Sequence, residues 1–271
     1  MPTQINNKSF SKNYFYYAFK ALLISIVIAI VICLINVFIY KYVALELPEN
    51  FIYFSAVFTT ATATVYAVIA GFTILIAFTR YQDLNNTVAQ EINCLQDLLD
   101  LTNFIQGQST IKEQIIKNVE KYGFSVADDE WLSMASGQSH RNASVCLENI
   151  IDSVNNITLV DNKNPIVFEL LIDRIKDLTT FRADRLSKAS EPFPRLLGLI
   201  LYAISIIFVL SVFFILTPNL LFQSIFLTSI TFIAGIVIQL VGDIGNPYKP
   251  GVWHVSKKSY ETITATVLSK P

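Results

Sequence analysis

Hydrophobic and polar positions fall in long blocks along this chain. Four stretches, residues 21–40, 52–79, 196–216 and 220–241, contain no charged side chain. Each is long enough to meet the ~20 apolar residues that an α-helix needs to cross hydrocarbon. The pattern predicts an all-α membrane protein with four transmembrane helices in two pairs, separated by a polar, periodic segment. The implied division is residues 1–80 for an amino-terminal tail and the first two spans, 81–191 for a helical domain, 192–243 for the third and fourth spans, and 244–271 for a tail.

The second apolar block does not end where the hydrocarbon should. From Ile52 to Ile105 there is no proline, and Gly71 is the only glycine. Beyond Arg80 the apolar residues Leu84, Val88, Ile92, Leu95, Leu98, Leu99 and Leu101 recur in short helical steps, marking one face. One helix is expected to leave the membrane and continue outside it, approaching 80 Å at about 1.5 Å per residue. Arg80 and Tyr81 fall where it crosses the interface, where a long cation keeps its head among the lipid headgroups.

Further on, Thr110-Ile111-Lys112-Glu113 has the pattern of a capping box ahead of Ile115, Ile116 and Val119. A short amphipathic piece around Trp131 and Met134 follows, then a helix marked by Val145, Leu147, Ile150, Ile151 and Val154. Asn164-Pro165 opens a long helix, and Pro192 and Pro194 break the chain before the third span. No strand, repeat or low-complexity tract is indicated.

Charge sets the expected orientation. The short amino-terminal tail carries Lys8, Lys12 and Lys20, and the last tail carries Lys249, Lys257, Lys258 and Lys270. The segments between paired spans hold only Lys41. The positive-inside rule then puts both termini and residues 81–191 in the cytoplasm, as in a multi-pass inner-membrane protein. The apolar region of the first span is too long for a signal peptide, and no small-x-small site follows it. The three cysteines Cys33, Cys94 and Cys146 imply no disulfide framework in a reducing compartment. A formal net charge of −1 gives no footprint for nucleic acid.

No arrangement of catalytic groups appears, and no cofactor or metal motif. His140 and His254 are isolated in a turn and a tail. Asp128-Asp129-Glu130 reads either as a chelator of a hard cation or as the acidic first turn of a helix. The first half of the second span, FTTATATVY, is rich in threonine and alanine. Small residues favour close helix packing in membranes. Thr60, Thr64, Val68 and Phe72, four apart, also share one side of the helix. In a ring of copies that stripe would make a polar mouth narrowing to an apolar constriction able to gate by dewetting.

The stretch YAVIAGFTILIAFTRYQ resembles the second transmembrane segment of bestrophins, where a Gly-Phe precedes a helix ending in Arg-Trp at the same interval. Here Gly71, Phe72 and Arg80 match, and Tyr81 stands for the tryptophan. Asn246-Pro247-Tyr248 follows the last span much as Asn-Pro-Phe-Gly does in that family. The whole chain is more similar to the bacterial bestrophin-like family, through Glu130-Trp131, through Arg182 and Arg185-Leu186 ahead of Pro192, and through Asp243, Pro247 and Gly251.

The resemblance implies a homo-oligomeric, pentameric channel whose second helix lines the pore, with chloride or another small anion as the permeant ion. It puts the neck at Thr64, Val68 and Phe72, and makes Gly71 a point where neighbouring helices approach. Lys249-Pro250-Gly251 replaces the acidic run that follows Asn-Pro in calcium-activated relatives, so no calcium clasp is expected. Residues 81–191 hold 17 acidic and 10 basic side chains, a balance that favours cations if that surface lines the path. The competing reading is a membrane-anchored scaffold or sensor that conducts nothing.

Overall fold

The computed structural model describes residues 19–20, 22–28, 30–31, 34–35, 38, 50–135, 141–158, 164–191, 193–213, 220–248 and 253–268. Among these the only regular structure is helical. The described residues between 19 and 38 are helical and are designated α1; much of the first expected span lies outside the described residues. Then follow α2 (Phe51–Thr102), α3 (Ser109–Ser125), a π-helical turn (Val126–Glu130), α4 (Trp131–Ala135) and α5 (Arg141–Asn155). The chain continues through α6 (Asn164–Ser190), α7 (Arg195–Phe213), α8 (Leu220–Ile244) and α9 (Lys258–Leu268). By length and composition α2, α7 and α8 each contain a stretch able to cross a membrane.

α2 is a single helix of 52 residues, unbroken at Arg80. Its buried positions include Ser55, Thr59, Thr62, Tyr66, Ala70, Thr73 and Ala77, then Leu84, Val88, Glu91, Leu95, Leu98 and Thr102. The steps are mostly three and four, the interval that keeps one helical stripe against a partner. The described residues form two compact units. One takes α2 up to Thr79 with α7 and α8; the other takes α2 from Arg80 with α3 to α6 and α9.

In the first unit Tyr66, Ala70, Leu201, Phe208, Leu227 and Ala234 belong to one core. The Tyr66 ring stacks on Phe208 with centroids 4.9 Å apart. Thr59 Oγ1 donates to the Ser211 carbonyl at 3.0 Å, and Thr62 Oγ1 lies 3.0 Å from the Ser211 hydroxyl. These bonds satisfy hydroxyls that lipid would leave unpaired. Gly245 closes α8: a Cβ there would lie 2.9 Å from the Val241 carbonyl oxygen and 3.4 Å from Phe193 Cβ.

In the second unit Leu84, Leu95 and Leu98 of α2 pack with Ile115, Val119, Tyr122, Ile150, Leu171, Leu178 and Tyr260. α2 ends with Thr102 Oγ1 bonded to the Leu99 carbonyl at 2.6 Å. The chain then turns through Gly107, whose φ of +74° suits a residue without a Cβ. The expected capping box does not form. α3 starts at Ser109, which puts Thr110 inside the helix; its N-cap is Gln108, with no side-chain cap. Gln108 instead clasps the backbone of Thr158, donating to its carbonyl at 2.8 Å and accepting from its N–H at 3.1 Å. That distant partner fixes the entry of α3. Gln108→Ala, which loses both bonds, is expected to destabilise the unit by about 1–2 kcal/mol, read by denaturant unfolding.

Candidate functional site

The face of α2 opposite its buried stripe is open. Thr60 and Thr64 are exposed, and Val68 and Phe72 are 52% and 63% accessible. Thr60 Oγ1 donates to the Ala56 carbonyl at 2.9 Å, and Thr64 Oγ1 to the Thr60 carbonyl at 2.9 Å. Each hydroxyl proton is therefore committed to the helix, and the oxygen keeps free lone pairs. A Cβ on Gly71 would meet nothing within 4 Å. No neighbour among the described residues requires glycine there. Arg80 Nη2 donates to the Glu191 carbonyl at 2.8 Å and lies 3.7 Å from its carboxylate. Tyr81 is half-buried against the core of the second unit.

A second constellation lies inside that unit. Arg185 of α6 is completely buried. Its Nε donates to Glu91 Oε2 at 2.6 Å, and its Nη2 donates to Glu91 Oε1 at 3.2 Å and to Glu130 Oε2 at 2.8 Å. Arg182, one turn earlier on α6, donates to Glu130 Oε1 at 2.7 Å and to Ser144 at 3.1 Å. The Tyr122 hydroxyl donates to Glu91 Oε1 at 2.5 Å. Two carboxylates and two guanidiniums thus balance in a dry interior, the condition under which buried charges persist. Trp131, Tyr248 and Tyr260 wall the cluster, and the Tyr260 ring lies 5.9 Å from the Arg185 guanidinium.

Burial works against the charge on Arg185, but Glu91, Tyr260 and Tyr122 together outweigh it and hold the guanidinium well above its ordinary range. Burial, reinforced by Glu91, pushes the Tyr122 hydroxyl well up. Burial does the same to Tyr260 and, against the pull of Arg185, to Tyr248. These groups keep one protonation state across the physiological range.

In the sequence Arg182 and Arg185 stand out only as family motifs, and Glu130 as a family motif and as one of an acidic triplet; the structure brings them together. Glu91 is in none of these motifs. The signal was present: Glu91 interrupts the apolar series Leu84, Val88, Leu95, Leu98 on the buried face. The triplet Asp128-Asp129-Glu130 occupies the π-helical turn, in the middle of a continuous run from α3 into α4 and not at a helix start. Its carboxylates have separate partners. Asp128 pairs with Lys257 at 3.4 Å, Asp129 accepts from Asn142 at 3.1 Å, and Glu130 meets the arginines. Among the described residues no group of three or more His, Cys, Asp or Glu is placed to hold a metal ion.

The family model of the Bestrophin-like domain matches residues 24–260. The chain belongs to the bestrophin-like family. Solved structures carry the same fold. A crystal structure of a bacterial bestrophin homologue from Klebsiella pneumoniae aligns with TM-score 0.74 at 13% identity, covering 92% of this chain and 97% of that one. A mutant of the Klebsiella pneumoniae homologue aligns with TM-score 0.72 at 12% identity, covering 93% and 99%. No curated protein matches the sequence. This bestrophin-like chain therefore shares an architecture with those structures at an identity where fold alone is carried over.

Proposed function

We propose that the chain forms a homo-oligomeric channel for small monovalent ions in the inner membrane, with both termini cytoplasmic. Its pore is lined by Thr60, Thr64, Val68 and Phe72. The observation that carries this reading is the two-sidedness of α2. One stripe is buried along the helix, while the opposite side stays open and changes from hydroxyls to an aliphatic and then an aromatic residue. Gly71, with open space around it, leaves room for a helix of a second copy. A pentamer follows the family resemblance, and Arg80 and Tyr81 fall at the membrane interface where the apolar block of α2 ends.

Chloride or another anion is the permeant ion that the family suggests. A cation is favoured by a specific feature of α2. Within 51–102 the helix carries one basic side chain, Arg80, tied to Glu191, while Asp83 and Asp100 are exposed. The Thr60 and Thr64 oxygens add outward lone pairs. Rings of acidic or acceptor groups favour cations.

Both readings are tested with purified protein of known oligomer mass in liposomes under a KCl gradient. Passage of current supports a channel, and the sign of the reversal potential identifies the ion. An intact oligomer that passes neither potassium nor chloride would leave the scaffold reading in place.

A further inference from the structure

In the first unit α2 carries threonines on two opposite sides. At about 100° per residue, Thr59, Thr62 and Tyr66 cluster on one side, and Thr60, Thr64, Val68 and Phe72 lie roughly 180° away. Residues 51–79 include no charged side chain. Lipid tails are as apolar as the aliphatic residues of this helix, so burial of apolar surface does not choose the side that meets the protein. Hydroxyls on both sides do not choose it either.

The two pairs of threonines differ in their partners. Thr60 and Thr64 donate to carbonyls of their own helix. Thr59 and Thr62 reach across to α7, and both meet Ser211. The Ser211 carbonyl accepts from the Thr59 hydroxyl at 3.0 Å. The Ser211 hydroxyl donates to the Phe208 carbonyl at 2.7 Å, which leaves its oxygen to accept from Thr62 at 3.0 Å. Thr62 Oγ1 also lies 3.0 Å from the Phe58 and Thr59 carbonyls, so its proton is shared. Ser211, Thr59 and Thr62 are all buried. Two bonds that start three residues apart on α2 and converge on one residue of α7 fix rotation as well as distance. One turn further along α2 the Tyr66 ring stacks on Phe208, three residues before Ser211.

We propose that Ser211 is a positioning residue for the pore: by accepting from Thr59 and Thr62 it selects the threonine face of α2 that turns to the protein, and so leaves Thr60, Thr64, Val68 and Phe72 to the axis. This rests on the channel reading above. All of these residues belong to the first unit. Ser211 is fully buried and acts only through α2.

The test compares two paired substitutions in the full-length oligomer. Thr59→Val with Thr62→Val keeps the side-chain shape and loses both hydroxyls. Thr59→Ser with Thr62→Ser keeps both hydroxyls and loses two methyl groups. If these threonines served packing alone, the serine pair would disturb α2 and the valine pair would not. The proposal requires the reverse. The readout is the relative reactivity of engineered Val68→Cys and Ala67→Cys toward a water-soluble thiol reagent, above the background of the native cysteines. Those positions are about 100° apart around the helix. Flux in liposomes is measured on the same pairs without the added cysteines.

In the parent, Val68→Cys is expected to react faster. In the valine pair the ratio is expected to fall toward one and the leak flux to rise, because Phe72 is no longer held toward the axis in every subunit. The serine pair is expected to keep the parent's ratio and flux. An intact valine-pair oligomer with the parent's ratio overturns the proposal, and so does a serine pair whose ratio falls as far. Should the valine pair fail to assemble, Ser211→Ala, which loses only the Thr62 bond to Ser211, is expected to lower the ratio by less; an unchanged ratio there overturns the proposal too. A parent that passes no ion defeats the channel reading, and the thiol ratio alone then decides whether Ser211 sets the rotation of α2.

Discussion

Arg185→Met is expected to cost the second unit about 3–5 kcal/mol of stability, the range seen when one partner of a buried ion pair is removed. The side chain is fully buried and donates to Glu91, to Glu130 and to the Met134 sulfur. Without it, Glu91 and Glu130 remain buried with only Arg182 to answer them, and of the two carboxylates Arg182 reaches only Glu130. Glu91 then keeps the Tyr122 hydroxyl as a donor, but its charge has no cation beside it in the interior. Stabilities of folded domains are about 5–15 kcal/mol, so a loss of this size is a large share. Denaturant unfolding followed by near-ultraviolet dichroism of the Trp131 environment would measure it. A loss below about 1 kcal/mol, the value typical of an exposed pair, would show that the cluster is hydrated. Adding Glu91→Gln should recover much of the loss by restoring neutrality, which separates the charge effect from the lost volume.

Parts of this architecture were legible in the sequence because they are local. The continuity of α2 through Arg80 follows from an apolar series that keeps helical steps and from the lack of any breaker before Thr102. The opening of α6 at Asn164-Pro165 likewise needs only neighbouring residues. What could not be read depends on partners far along the chain. Thr110 to Glu113 has the composition of a capping box, yet the start of α3 is set by Gln108 bonding to Thr158. Asp128, Asp129 and Glu130 look like one acidic group in sequence, but Lys257, Asn142 and the α6 arginines draw them apart. Glu91 is the instructive residue. A carboxylate on an apolar helical face must find a buried cation, and Arg185, ninety-four positions away, is that cation. Periodicity reveals the need for a partner; only the fold identifies it.

The open face of α2 is a different matter, because its meaning depends on copies of the chain facing one axis. Phe72→Ala is expected to raise ion flux while leaving the oligomer's thermal midpoint close to the parent's. Phe72 is 63% accessible and Gly71 beside it has open space, so among the described residues the phenyl ring fills no cavity. Several such rings around one axis would leave water without hydrogen-bond partners, and a narrow apolar ring empties and blocks ions. Truncation removes that wall from every subunit at once. Val68, one turn away and 52% accessible, would remain as a wider ring, so the flux should rise without becoming unlimited. If Phe72 instead packs between subunits, its loss opens a buried void and costs about 3–5 kcal/mol, judging from soluble cores. The oligomer would then melt earlier or dissociate, with no gain in flux. Flux and midpoint must therefore be measured on the same preparation. A stable Phe72→Ala oligomer whose flux is unchanged or lower would remove Phe72 from the pore.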